Sequence, residues 1–242
     1  MEFFGEVVAW FADPATWSGR NGIPIRLWEH VSLSAASLAV GTLIALPVGL
    51  VIGHTGRGAV LAVSIANIGR AIPSLGLLGI VFPLGLVLGL GLGFWPSLIA
   101  LVALAIPPIV LNTYVGLSQV DRDLVEAARG MGMRERQILA RLEIPIALPV
   151  ILAGIRTSAV QVVATATLAA VISGGTLGHL ILAGVNTGDE VQVFGSALLV
   201  AILAIGTELA FGFLQRAATS PGLRARSEQP ADAMLRANAP AA

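Results

Sequence analysis

The chain has no cysteine and no lysine, and it carries few charges of either sign. Without cysteine, disulfides and thiolate-ligated metal sites are excluded. Because all fourteen basic residues are arginine, the chain also lacks a phosphate-binding P-loop, which requires a lysine. Charged residues make up 12% of the 242 residues, against about 25% in a soluble domain. The net charge of zero gives no electrostatic reason to expect nucleic-acid binding.

Apolar residues take the place of the missing charges. They make up 56% of the chain, and residues 71–111 contain no Asp, Glu, Lys, Arg or His. A transmembrane helix needs about 20 apolar residues, so this run alone is long enough for most of two spans. The apolar runs are continuous rather than alternating in polarity, which disfavours a transmembrane β-barrel. The sequence therefore predicts an all-α, multi-pass membrane protein.

We predict five transmembrane helices, at about residues 28–52, 58–84, 94–114, 146–172 and 191–213. Pro73 should kink the second of them, and an alternative that breaks the chain at this proline has six spans. Residues 3–11 are predicted to form a short interfacial helix, with a loosely ordered terminus as the alternative. The predicted segments are an N-terminal extracytoplasmic or interfacial segment (1–26), a transmembrane domain (27–216) and a disordered cytoplasmic tail (217–242).

Arginine is distributed unevenly between the two sides of the membrane that five spans define. Five spans place ten arginines on the side that holds the tail and the loop after the third span. They place two, Arg20 and Arg26, on the other side. Because cytoplasmic loops are enriched in basic residues, this predicts a cell-membrane protein with its N-terminus outside and its C-terminus in the cytoplasm. Trp28 and Trp95 then lie at the outer ends of their spans, as interfacial anchors do.

A polar segment, at about residues 118–145, separates the third and fourth predicted spans. Asp121 and Asp123 are residue types that cap helix N-termini, and Asp123 has capping-box spacing with Glu126. Apolar residues recur after them at helical intervals: Leu124, Val125, Ala127, Ala128 and Met131. The pattern predicts a short amphipathic helix with one apolar face.

The end of this helix and the return to the membrane are also marked in the sequence. Gly130 and Gly132 are helix-ending residues, and a second amphipathic helix at about residues 134–142 leads back to Pro145. The result is a helix-turn-helix that stands off the bilayer. A small unit rarely exposes an apolar face of this kind without a partner.

The spacing within this segment resembles the EAA loop of ABC importer permeases. Glu126-Ala127-Ala128 is followed after three residues by Gly132, and after nine more by Leu142-Glu143-Ile144-Pro145. The resemblance implies a complex of two permeases and two ATPases that is fed by an extracytoplasmic solute-binding protein. The second permease is a copy of this chain or a different one. The chain itself then binds no cofactor and is not an enzyme, and ATP and Mg²⁺ are used by the partner ATPase.

On this resemblance we expect the loop to dock in a groove of the ATPase. The residues expected to carry the coupling are Leu124, Glu126, Ala127, Ala128, Met131, Gly132 and Pro145. The apolar members would supply buried contact area, Glu126 a charged contact or cap at the rim, and Gly132 the sharp exit turn.

Several other segments look like the osmoprotectant branch of these permeases. They are residues 71–75, 112–116, 153–157 and 173–178. This implies import of glycine betaine, choline or carnitine. The alternatives are a permease for another small solute, such as an amino acid, and a stand-alone secondary transporter, although the inverted repeats common in that class are absent. The predicted spans offer no aromatic cage of the kind that binds quaternary ammonium groups, so we expect selectivity to lie in the binding protein.

Three charges fall inside predicted spans: Arg70, Arg156 and Glu208. Intramembrane charges usually face the protein interior, so these residues are candidates either for a gate in the pathway or for a structural ion pair. Polar residues of the fourth span share one face with Gly154: Ser158, Gln161 and Thr165. They either line the pathway or pack helix against helix. His54 and His179 have no ligand partners nearby in sequence, so no metal site is expected, and Gly174, Gly175 and Gly178 predict a tight outer turn.

Overall fold

The computed structural model describes residues 2–219, apart from the side chain of Arg70. Within that range all regular structure is helical, which confirms the predicted class. The helices are α1 (Glu2–Ala12), α2 (Pro14–Trp17), α3 (Ile23–Thr55), α4 (Ala59–Ala71), α5 (Ser74–Val87), α6 (Phe94–Ser118), α7 (Arg122–Gly130), α8 (Glu135–Ile138), α9 (Ile144–Thr165), α10 (Thr176–Thr187) and α11 (Glu190–Ala218). A π-helical turn (Leu139–Glu143) precedes α9, and a 3₁₀ segment (Ala166–Ile172) follows it. The predicted tail, from residue 220 onward, lies outside the described residues.

Four helices are long and apolar enough to cross a bilayer: α3, α6, the continuous helix Glu135–Ile172, and α11. The second predicted span is broken rather than kinked, because α4 and α5 meet at an angle of 93°. Pro73 precedes α5, and Ile72 before it is extended, as the residue before a proline prefers to be. With 13 and 14 residues, each half is about 20 Å long and too short to cross alone. The described residues therefore form at most five spans, and the six-span alternative is wrong.

The helix before the fourth span is also continuous with it. The sequence analysis placed a separate amphipathic helix at residues 134–142, with a return at Pro145. In the structure, α8, the π-helical turn and α9 form one helix that passes through Pro145 without a break. A π-helical turn locally changes the backbone hydrogen-bonding pattern, so the chain can pass the missing N–H of Pro145 without ending the helix.

Helices α3 and α6 form the most extensive helix–helix contact among the described residues. Small residues recur at every fourth position along α3: Gly41, Ala45, Gly49 and Gly53. A Cβ added at Gly41 would lie 2.7 Å from the Cβ of Ala105, and one added at Gly53 would lie 2.7 Å from that of Leu117. Such a small-residue stripe lets two membrane helices approach through van der Waals contact.

The core of the bundle lies between α3, α6 and the helix that contains α9. Its buried cluster consists of Leu33, Leu101, Leu104, Ala105, Val162, Ala166 and Ala169. In contrast, α11 is peripheral, with only Gly195, Ser196 and Gly212 buried. The ring of Trp10 packs on Gly195, which places the interfacial helix predicted at residues 3–11, now seen as α1, against the start of α11.

Helix α10 was not predicted. The sequence analysis expected a tight turn at Gly174, Gly175 and Gly178, but the turn comprises Ser173–Gly175, and Gly178 lies within α10. The helix has 12 residues, about 18 Å, and cannot span a bilayer. Leu177, Leu180 and Gly184 are buried at helical spacing, so its periodicity was present in the sequence. Helix α10 packs against the start of α3, the 3₁₀ segment and α11, which puts it at the opposite end of the bundle from α7.

Candidate coupling site

Helix α7 forms where the loop pattern predicted it. Asp121 is the N-cap, and its side chain accepts a hydrogen bond from the backbone N–H of Asp123 at 3.0 Å. Asp123 is therefore not the cap, and the capping box predicted for Asp123 and Glu126 is wrong. The helix ends at Gly130, and Gly132 then adopts φ +84°, a left-handed conformation that glycine adopts without steric cost.

The apolar face of α7 is divided between two environments. Val125 and Ala128, which is 3% exposed, point inward and pack with Val120 and Ile138 in a small core of the loop itself. Leu124 is 47% exposed, Met131 is 77% exposed, and Ala127 is exposed between them. The expectation that Ala128 belongs to a partner-facing surface is wrong, because its side chain already contributes to the loop's own core.

We call Leu124, Ala127 and Met131 the exposed α7 face. Glu126 lies beside them and is exposed, as is Pro145 at the start of α9. The loop core beneath this face holds it at a fixed position relative to the membrane helices, since Ile138 of the core belongs to the same continuous helix as the fourth span.

A chain of ionisable side chains, which we call the charge chain, joins the loop to the end of α3. Arg129 donates from Nε and Nη2 to the two carboxylate oxygens of Glu135, at 2.6 and 3.0 Å. Glu135 lies 3.4 Å from His54 Nε2, and His54 Nδ1 lies 2.5 Å from Glu143 Oε2. The hydrogen bond from Arg129 lowers the pKa of the Glu135 carboxyl, and the same bond raises the pKa of Arg129.

This charge chain was not predicted from the sequence. His54 was set aside because it has no partner close in sequence, and Glu143 lies 89 residues away. Glu143 is only 5% exposed, and a buried carboxylate normally has a partner. The signal that could have identified it is an acidic residue within the apolar-flanked sequence Leu142-Glu143-Ile144-Pro145.

The structure pairs two of the three predicted intramembrane charges. An Nη2–H of Arg156 in α9 donates to Glu208 Oε1 in α11, and Arg156 Nη1 lies 3.3 Å from Gln215 Oε1. Gln215 in turn donates to the carbonyl of Pro149 at 2.9 Å. The two charged side chains are 33% and 41% exposed, so the pair lies on the surface of the single chain rather than in its core. Arg70 is in α4, and its side chain is not described.

The polar face predicted on the fourth span is only partly a packing face. Ser158 is fully buried and donates to the carbonyl of Ala105 in α6 at 2.9 Å. Gly154 is buried against Asn112 and Pro108 of α6, whereas Gln161 and Thr165 are half-buried. Ser158 and Gly154 therefore join α9 to α6, and Gln161 and Thr165 remain as candidates for the pathway.

Comparison with known proteins gives the family. Residues 41–220 match the family described as binding-protein-dependent transport system inner membrane component. The carnitine transport permease protein OpuCB of Listeria monocytogenes is 36% identical over 87% of this chain and 94% of its own length. The choline transport system permease protein OpuBB of Bacillus subtilis is 36% identical over 84% and 91%. The osmoprotectant import permease protein OsmW of Salmonella typhimurium is 36% identical over 81% and 92%.

The fold comparison agrees with the sequence comparison. The structure is similar to an inward-facing MetNI methionine ABC transporter, with a TM-score of 0.71 and 24% identity over 81% of this chain and 95% of the other. At 24% identity, this structural similarity establishes the fold of the chain. The chain therefore belongs to the binding-protein-dependent transport system inner membrane components, the non-catalytic, multi-pass permease subunits of ABC importers.

Proposed function

We propose that the chain is the permease of an ATP-driven importer for quaternary-ammonium osmoprotectants such as glycine betaine, choline or carnitine. The observation that carries this proposal is the similarity, over most of both chains, to permeases named for carnitine, choline and osmoprotectant transport. Because it covers 81–87% of this chain, it compares most of the translocating domain rather than one motif.

The exposed α7 face is the proposed contact with the ATPase. Leu124 and Met131 present apolar surface, and covering each would contribute about 1–2 kcal/mol. Ala127 between them is small, so the helix backbone can approach the partner closely. Glu126 supplies a charged contact at the rim. The loop core and the continuous helix Glu135–Ile172 would carry the motion of the ATPase to the fourth span.

The assembly we propose contains a second permease, ATPase subunits and an extracytoplasmic solute-binding protein. The second permease is either a copy of this chain or a different chain. ATP and Mg²⁺ would be bound by the ATPase alone. The Arg156–Glu208 pair would hold α11 against α9 as a structural ion pair, since both side chains find their partners within the chain.

The proposed orientation places the N-terminus outside and α7 in the cytoplasm. It is supported by the arginine distribution and by the exposure of Trp28 and Trp95 at the ends of α3 and α6 that face away from α7. The chain has no native cysteine, so single cysteines at Ser18 and Ser118 can be labelled with an impermeant reagent. We expect them to react from opposite sides, with Ser18→Cys reacting in intact cells. Labelling of both from one side would contradict the orientation.

Reconstituted uptake tests the function. The permease is placed in proteoliposomes with the ATPase and the binding protein, and uptake of labelled glycine betaine, choline, carnitine and methionine is measured with and without ATP. We expect ATP-dependent uptake of at least one quaternary-ammonium solute and none of methionine. Uptake of methionine alone would support the amino-acid alternative, and uptake without the ATPase would support a secondary transporter.

A further inference from the structure

A polar cavity lies at the end of the bundle opposite α7. Its volume is about 250 Å³, and it is lined by the N-terminal part of α3, by residues 92–94 at the start of α6 and by the Ser173–Gly175 turn. That volume is below the range of about 300–1,000 Å³ that drug-sized ligands occupy, so the cavity suits a small solute. Three side chains bring charge or an aromatic ring to the cavity: Arg26, Glu29 and Phe94.

Arg26 brings a positive charge to the cavity, and its Nε–H has no hydrogen-bond partner in the described part of the chain. Its Nη1 donates to Glu29 Oε2 at 2.8 Å, and its Nη2 donates to Asn21 Oδ1 at 2.5 Å. The Nε–H is buried and has no acceptor among residues 2–219. A buried donor without an acceptor is costly, and a guanidinium binds a carboxylate through two parallel N–H groups. Arg26 is therefore suited to receive a ligand carboxylate.

Glu29 and Phe94 bring the features that a quaternary ammonium group requires. The Glu29 side chain is 37% exposed and offers negative charge to the cavity. Phe94 is 42% exposed, and its ring makes an edge-to-face contact with Trp95, with centroids 5.4 Å apart. A cation over an aromatic face is attracted by the ring quadrupole.

The Ser173–Gly175 turn forms another wall of the cavity, and Glu29 contacts this turn where its backbone is strained. The backbone N–H of Thr176 donates to Glu29 Oε2 at 3.1 Å, and a Cβ at Gly175 would lie 2.3 Å from the same oxygen. Ser173 and Thr176 have φ of +64° and +68°, which is uncommon for residues other than glycine. Strained backbone of this kind occurs where the surrounding structure fixes a functional site.

We propose that this cavity is a subsite for zwitterionic quaternary-ammonium solutes, in which Arg26 binds the carboxylate while Glu29 and Phe94 bind the trimethylammonium group. The inference rests on the proposed function and adds a selectivity that the permease itself contributes. Glycine betaine and carnitine engage both halves of the subsite. Choline has no carboxylate and engages only Glu29 and Phe94. The permease is thus a second discriminating element after the binding protein.

The ratio of two uptake rates tests the subsite. Permease, ATPase and binding protein are reconstituted, and initial uptake of glycine betaine and of choline is measured with each solute at saturating loaded binding protein. In Arg26→Gln we expect the betaine-to-choline ratio to fall about tenfold, because a charge-assisted hydrogen bond is lost for one solute only. Phe94→Leu should slow both solutes and leave the ratio within about twofold. Arg20→Gln, at an exposed arginine outside the cavity, is the matched control and should change neither rate.

The same variants separate the subsite from a structural role of the Arg26–Glu29 pair. If the pair only holds the Ser173–Gly175 turn, Arg26→Gln will slow both solutes equally, and an unchanged ratio overturns the proposal while the proposed function stands. Direct binding of labelled glycine betaine to the permease–ATPase complex without binding protein provides a second measurement. We expect Arg26→Lys to retain part of that binding and Arg26→Gln to abolish it. Wild-type complex that imports betaine but binds none of it without the binding protein would also overturn the subsite. If the wild-type complex imports neither solute, the proposed function fails.

Discussion

The two ends of this permease are built in opposite ways. At the α7 end, the loop has its own buried core of Val120, Val125, Ala128 and Ile138, and a chain of charges ties it to α3. At the other end, Ser173 and Thr176 have left-handed backbone, and Thr176 donates hydrogen bonds to the Glu29 carboxylate and to the carbonyl of Ala166. One end is held by many mutually supporting contacts, and the other by a few contacts that oppose backbone strain.

This difference in construction matches the different mechanical roles that the two ends of an importer have. A part that transmits motion from a neighbouring ATPase has to move as a rigid body, since a loose loop would absorb the displacement. A part that opens and closes around a solute needs two conformations of similar free energy, and stored strain in the closed form reduces the difference between them. The comparison therefore predicts that substitutions at the α7 end cost the most stability, and that some substitutions at the other end increase it.

The largest effect should come from a charge placed in the loop core. Ala128→Glu puts an unpaired carboxylate where the side chain is 3% exposed, and we expect the free energy of unfolding to fall by more than about 4 kcal/mol. Thermal unfolding of the purified chain measures this. Ala127→Glu is the matched control, because its side chain is exposed on the same helix.

The effects of Ala128→Glu and Ala127→Glu should differ in kind as well as in magnitude. Ala127→Glu should change stability by less than about 0.5 kcal/mol but should prevent co-purification of the ATPase. If both variants lose stability equally, the division of α7 into an inner and an outer face is wrong. If Ala127→Glu keeps normal ATPase binding and uptake, the exposed α7 face is not the docking surface.

The next largest effect should come from the charge chain. His54→Phe leaves the buried Glu143 carboxylate without its 2.5 Å partner, and we expect a loss of about 3 kcal/mol. Replacing both, as His54→Phe with Glu143→Leu, removes the stranded charge and should recover most of that loss. A double-mutant cycle of unfolding free energies is the measurement. Strictly additive losses would show that the two side chains are not coupled.

Effects of opposite sign are expected at the other end. Gly175→Ala adds a Cβ at a position with φ +67°, 2.3 Å from Glu29 Oε2, and should cost about 2 kcal/mol. Ser173→Gly relieves the strain of φ +64° and should increase stability by about 1 kcal/mol. If the strain assists opening, Ser173→Gly will also slow uptake although the protein is more stable. Equal or higher uptake in that variant would contradict a role for the strain.

The sequence predicted local features well and long-range pairings poorly. The helix after Asp121, its end near Gly132 and four of the five predicted spans follow from capping, glycine placement and hydrophobic run length, all of which are local properties of the sequence. The position of Ala128 could not be predicted, because periodicity shows that a residue lies on the apolar face but not whether a partner or the chain's own core covers it. The contact between His54 and Glu143 depends on how α3 and α9 pack, which no local pattern contains. The right-angle break before Pro73 likewise depends on the packing of α4 and α5 against α6.

The smallest effect concerns the exposed end of the charge chain, the pair between Arg129 and Glu135. The hydrogen bond from Arg129 lowers the pKa of the Glu135 carboxyl below its ordinary 4.5. Because the folded-state pKa is the lower one, the contribution of this carboxylate to stability is present above about pH 4.5 and is lost as the pH falls through the lowered value. Both side chains are more than half exposed, and exposed ion pairs contribute little.

Glu135→Gln should therefore lower the unfolding temperature slightly, by the same amount at every pH from 8 to about 5.5, and the difference from wild type should shrink only in more acidic solution. Glu126→Gln is the control, because it removes an exposed carboxylate of the same loop that makes no hydrogen bond within residues 2–219. Unfolding temperatures of the three proteins across this pH range provide the measurement. Equal unfolding temperatures for Glu135→Gln and wild type at neutral pH would contradict a contribution from this pair.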